Sequence, residues 1–204
     1  MLKATTSAWL LVSSVLVGCS DNDPDPISGM REAGMPDSAE SSADGAADGT
    51  VEDPCLQTLL ESDFGQEPLV GPIVDPMTGA VADPEDGSYL VATTYLALQG
   101  RPESMDAFNE IVGAITTALA TQDGLLAVST GGSGECGTAR TLTVWRDQGA
   151  MATFVTGPAH IQAIQRVGEI SRGGSSTHTF EVQRGADVSW ARATQELEGV
   201  EPTY

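Results

Sequence analysis

Hydrophobic and polar positions recur with a clear period only in the second half of the chain. SYLVATTYLAL (88–98) is uncharged and rich in β-branched and aromatic residues, which predicts a strand buried on both faces. GRP interrupts the run, and Pro102 suits a first helical turn. Met105, Phe108, Val112, Ile115 and Leu119 follow at steps of three and four, with Glu103, Asp106, Asn109 and Glu110 off that stripe. This spacing predicts an amphipathic helix ending before Asp123-Gly124. GLLAVSTG (124–131) and RTLTVW (140–145) read as strands, separated by a Gly-rich loop that carries Cys136. Asp147 is placed to cap a helix that Gly157-Pro158 interrupts before it resumes to about Ser171. STHTFEVQ (176–183) reads as a strand and ADVSWARATQEL (186–197) as a last short helix.

The order is β-α-β-β-α-β, which predicts an α+β domain of the ferredoxin-like type over residues 88–204. Helices in this order cover one sheet face and leave the other open. Packing two such sheets together closes it, so the pattern predicts a homodimer. Residues 55–87 have no sustained period. CLQTLLES can start a short helix, whereas PLVGPIVDPMTGAVADPEDG holds too much Pro and Gly for one and reads as extended segments with turns. This accessory segment is expected to be stapled to the body through Cys55.

The first nineteen residues, MLKATTSAWLLVSSVLVGC, place one Lys before a short apolar run that stops at Gly18-Cys19. That is the pattern of a secretory signal, too short for a spanning helix. Leu16-Val17-Gly18-Cys19 resembles a bacterial lipobox, which implies cleavage before Cys19 and acylation of its thiol. Two or three acyl chains anchor stably in a bilayer, each buried methylene contributing roughly 0.8 kcal/mol. Ser20 after the Cys resembles the outer-membrane sorting class, so the expected location is the cell envelope, at the outer membrane of a double-membraned cell. Residues 20–54 hold ten acidic residues against Arg31 alone, with no aromatic residue and no amphipathic period. Such a stretch cannot bury enough apolar surface to offset chain entropy, and an extended, disordered acidic linker is expected.

The net charge of −20 and the single Lys, at position 3, argue against nucleic acid and against charge-driven binding to anionic lipid. With Cys19 acylated, Cys55 and Cys136 remain as an even pair in an oxidising compartment. A disulfide between them is expected, worth on the order of 4 kcal/mol on the chain-entropy model. Only two His are present and no CxxC, so no metal site is expected. DNDPDP near the start of the linker lacks the turn Gly and closing Glu of a calcium loop. No GxSxG elbow is present, and GGSG is not followed by the Lys and helix of a phosphate loop.

RTLTVWRDQGAMATFVTGPAHIQAI (140–164) resembles the strand-then-helix core of the antibiotic biosynthesis monooxygenase family, the dimeric α+β barrels. The matching parts are the Thr-Leu-Thr-Val-Trp strand, the polar turn, the aromatic at Phe154 and the GPAHIQAI break with His160. The resemblance covers roughly 88–197. It implies an apolar pocket and, in the catalytic members, oxygenation of small aromatic compounds without a bound cofactor. The haem-degrading members use an Asn, a Trp and a His at places that fall here on Thr94, Phe154 and Ile164. None matches, so haem degradation is disfavoured and no cofactor is expected.

His160, at the start of the resumed helix, is a candidate base or donor; the plainer account is a helix-start His partly buried at an interface. His178 shares a strand face with Phe180 and Val182, and is a second candidate if that face lines the pocket. Thr94 can offer a hydroxyl to the same pocket, or serve only as a good strand residue. Trp145 and Phe154 are pocket or interface candidates, and Trp190 reads as core.

Overall fold

The computed structural model describes residues 55–204. The signal segment 1–19, its lipidation site Cys19 and the linker 20–54 lie outside the described residues. The elements are β1 (Gly65–Gln66), β2 (Tyr89–Ala97), α1 (Pro102–Leu119), β3 (Leu125–Ser133), β4 (Thr138–Trp145), α2 (Gln148–Val155), α3 (Pro158–Ile170), β5 (Ser176–Val182) and α4 (Trp190–Gln195). The sheet order is β1-β3-β4-β2-β5, every neighbouring pair antiparallel. Without the two-residue edge strand β1, this is the order and connectivity of a ferredoxin-like α+β fold.

Local chemistry explains the helix boundaries. Pro102 and Pro158 open α1 and α3, where a missing N–H costs nothing. Asp147 Oδ1 accepts from the Ala150 N–H at 2.8 Å and caps α2. The Gly157-Pro158 break separates α2 from α3. An Arg166–Glu110 ion pair at 3.1 Å links α3 to α1. The last helix is shorter than its pattern suggests: a 3-10 turn at Gly185–Asp187 precedes α4. CLQTLLES forms turns and no helix.

Along β2, Tyr89, Val91, Thr93, Tyr95 and Ala97 are buried, while Leu90, Ala92, Thr94 and Leu96 are half-buried. The strand expected to be buried on both faces is therefore closed on only one. That closed face carries the main core, Tyr89, Val91, Leu142, Val144, Phe180 and Val182, packed with Trp190 and Ala193 of α4. Phe64, Leu69, Ile73, Val74 and Val81 of the accessory segment complete it, and Phe64 meets the Trp190 ring edge-on at 5.2 Å. Close approach needs glycine where the accessory segment touches the body. A Cβ on Gly71 would lie 2.0 Å from the Leu126 carbonyl oxygen, and one on Gly185 would lie 2.1 Å from that of Val81. The sheet face expected to stay open is thus covered by α4 and the accessory segment of the chain itself.

At the other end of this face the covering is polar. Arg140 of β4 is 2% exposed and pairs with Glu61 at 3.1 Å. Its guanidinium also donates to the carbonyls of Gln57 (2.9 Å) and Leu59 (2.6 Å) and lies 4.6 Å from the Tyr95 ring centroid. The Tyr95 hydroxyl donates to the Cys55 carbonyl at 2.6 Å. The expected Cys55–Cys136 disulfide is formed, across 81 positions.

Breaking one side of a buried ion pair leaves a charge without its partner, at a cost of about 3–5 kcal/mol. Arg140→Met is expected to lower stability by that order in urea unfolding of the oxidised chain. Adding Glu61→Leu removes the stranded carboxylate and should recover at least about 1 kcal/mol of the loss.

Candidate ligand cleft between the sheet and the helices

On the helix side, cross-strand register brings four threonines into one row. Thr94 of β2 lies opposite Thr141 of β4 and Thr177 of β5, and Thr141 lies opposite Thr130 of β3. Directly opposed residues share a face. With strands about 4.8 Å apart, the row crosses the sheet in steps of that size. None of the four hydroxyls has a hydrogen-bond partner among the described residues. Thr94, Thr130 and Thr141 are half-buried and Thr177 is exposed. Helices laid over a sheet ordinarily bury its central strands. Here solvent reaches the middle of β2 and β4, so the helices stand over a partly open floor. Ala92 and Val128 provide apolar neighbours one row along, and Leu90 lies a row beyond Ala92.

Trp145 closes one end of this floor. It pairs in register with Leu90, four residues from Thr94 and so roughly 13 Å along the strand. Trp145 is fully buried and its indole N–H donates to Thr143 Oγ1 at 2.9 Å. The Phe154 ring of α2 lies 5.5 Å from it, and the His160 ring of α3 meets Phe154 edge-on at 5.2 Å. Trp145, Phe154 and His160 thus form one stack, and no partner subunit is needed to bring them together.

His160 Nδ1 is 3.1 Å from the Val155 carbonyl. A carbonyl only accepts, so the neutral ring carries its proton on Nδ1 and keeps the Nε2 lone pair free. Burial lowers the imidazole below its ordinary value of about 6.5, and the Val155 bond opposes this more weakly. His160 is therefore a neutral acceptor at pH 7. No carboxylate orients it.

His178 lies elsewhere. It is opposite Thr93, on the face away from α1, α2 and α3, with Nε2 3.8 Å from Glu196 Oε2 at the end of α4. It borders an open surface hollow of about 550 Å³ shared with Arg192, Gln195 and Glu198. Glu196 is also paired with Arg192, so this hollow is a self-neutralised surface network. His178 cannot act with His160 or Thr94, because the sheet separates them. Among the described residues no group of three His, Cys, Asp or Glu is placed to hold a metal ion.

No family model matches the chain, and no curated protein matches it in sequence. Several solved structures are similar over about half of it. SnoaB, a cofactor-independent oxygenase from Streptomyces nogalater, is 14% identical with a TM-score of 0.40, over 48% of this chain and 96% of that one. Rv0793 from Mycobacterium tuberculosis is 17% identical with a TM-score of 0.39, over 46% and 93%. SO0527 from Shewanella oneidensis is 10% identical with a TM-score of 0.42, over 48% and 93%. The fold assignment stands on the strand order and register described above.

The lowered imidazole has a signed consequence. As pH falls, the unfolded chain takes up the His160 proton first, near 6.5, and the folded chain only at a lower value. Stability should therefore be unaffected by this group above 6.5 and decline between the two values. An NMR titration should place the His160 midpoint below 6.5, and His160→Gln should flatten the stability loss between pH 7 and 5.

Proposed function

We propose that this chain is a lipid-anchored protein of the cell envelope whose α+β domain takes a small, flat, oxygen-bearing aromatic compound into the helix-side cleft and oxygenates it without a metal. The observation that carries this reading is the row of four threonine hydroxyls, unpaired by protein, crossing a floor that the Trp145–Phe154–His160 stack closes. The hydroxyls can donate to or accept from ligand oxygens, and the aromatic end suits a ring system. A neutral His160 with a free Nε2 can take an acidic proton from the compound. The resulting carbanion or phenolate adds dioxygen at a ring carbon. The hydroperoxide so formed breaks its O–O bond and loses water made from two hydrogens of the compound, leaving a carbonyl. One oxygen enters the compound, the other leaves as water, and the compound supplies all four electrons. The lipobox at Leu16–Cys19 supports the anchored location, and the −20 charge supports a small-molecule ligand over nucleic acid.

A second reading is favoured by one specific observation: among the described residues no carboxylate pairs with His160, so the domain binds its ligand without transforming it. Both readings are tested with a panel of hydroxylated naphthalenes and anthracenes, following Trp fluorescence for binding and dissolved oxygen for turnover. The enzymatic reading expects oxygen uptake that His160→Ala lowers by about 100-fold while binding persists. Thr94→Val with Thr141→Val should weaken binding about 10-fold by removing two hydroxyls. Binding with no oxygen uptake selects the second reading. No binding by any member of the panel rejects both.

A further inference from the structure

We propose that residues 55–61 form a redox-released strap, and that cleaving the Cys55–Cys136 disulfide uncovers Arg140 as a carboxylate-binding site while the rest of the domain stays folded. The covering of the closed sheet face has two separable parts. Residues 64–81 contribute apolar side chains to the main core. Residues 55–61 contribute almost none: Leu56, Leu59 and Leu60 are 44%, 41% and 39% exposed. What holds the strap is polar. Arg140 binds the carbonyls of Leu56, Gln57 and Leu59 and the Glu61 carboxylate, Tyr95 binds the Cys55 carbonyl, and Gln57 donates to the carbonyls of Leu197 (3.2 Å) and Val200 (2.7 Å) and bonds Ser176.

Polar anchoring of this kind is weak on its own. Arg140 and Glu61 gain full hydration when the strap lifts, which offsets much of their mutual attraction. Within the buried pair, Arg140 Nε and Glu61 Oε2 have no hydrogen-bond partner among the described residues, so desolvation is incompletely compensated. The covalent link keeps the strap at high local concentration over Arg140, and its loss removes that advantage. The site beneath is already built for a carboxylate. It is a guanidinium near the Tyr95 and Phe64 rings, 4.6 and 5.9 Å from their centroids, and its present occupant is a segment of the same chain that brings one carboxylate, Glu61, and three backbone carbonyls. A peptide segment that offers one carboxylate beside its backbone carbonyls is accordingly the partner class it fits once opened.

The release step is thiol–disulfide exchange with a dithiol. Its thiolate attacks one sulfur, the second thiol resolves the mixed disulfide, the protein gains two thiols and the dithiol closes to a cyclic disulfide. The test treats the full-length chain with dithiothreitol and follows two readouts by mass spectrometry. These are site-mapped hydrogen exchange and modification of arginines by phenylglyoxal. Arg140 should change from unmodified to modified, while amides of α1, β3 and the core around Val91 and Val144 keep their protection against exchange. Cys55→Ser with Cys136→Ser should reproduce this pattern without reductant. Arg140 remaining unmodified after both thiols are free would overturn the proposal, because the strap would then hold by itself. Simultaneous loss of protection throughout β3 and α1 would also overturn it, because the disulfide would then be holding the whole domain.

Discussion

A guanidinium buried at one end of a sheet face is the constraint to which the start of the accessory segment answers. Arg140 sits on β4 opposite Tyr95, where most sheet faces carry an aliphatic side chain. A charge there must be surrounded by acceptors, and every acceptor it has comes from residues 56–61. That requirement brings the accessory segment across the sheet and fixes where it turns. From Phe64 onward the segment can then lay its apolar side chains over the core. The chain thereby covers with its own residues a face that related topologies leave to another layer.

The two faces of the sheet consequently differ in character. One is sealed, with aromatic and aliphatic side chains meeting α4 and the accessory segment and a polar corner around Arg140. The other lies under α1 and α3 but remains half-open, floored by threonines and closed at one end by stacked rings. The sealed core and the row of threonines therefore lie on opposite sides of the same strands. Alternation along β2 makes the division explicit: odd-numbered residues are sealed, and even-numbered residues meet the cleft. His178 and His160 fall on different sides of it, and His160 is the one that joins the Trp145–Phe154 rings.

The order of elements was legible because each carried its own local signal. Examples are the uncharged run at 88–98, the stripe from Met105 to Leu119, the Asp147 cap and the Gly157-Pro158 break. The Trp145, Phe154 and His160 grouping was also legible, since a strand and the helices after it hold all three within sixteen positions. The threonine row was not. Its members come from four strands at 94, 130, 141 and 177, and nothing local separates them from threonines that merely favour a strand. Arg140 and Glu61 were likewise invisible as a pair, being 79 positions apart with no periodic context around Glu61.

By itself the sequence determined the α+β order, the acidic character and the availability of Cys55 and Cys136 for pairing, because each depends on neighbouring residues or on composition. Tertiary structure alone decided which sheet face is sealed, since that depends on where an aperiodic segment comes to rest. It likewise decided which histidine lies on the side of Trp145 and Phe154, because strand side chains alternate and only packing says which side is which. The charge of Arg140 was written in the sequence; that it would be buried, and by what, was decided only when the chain folded back over it.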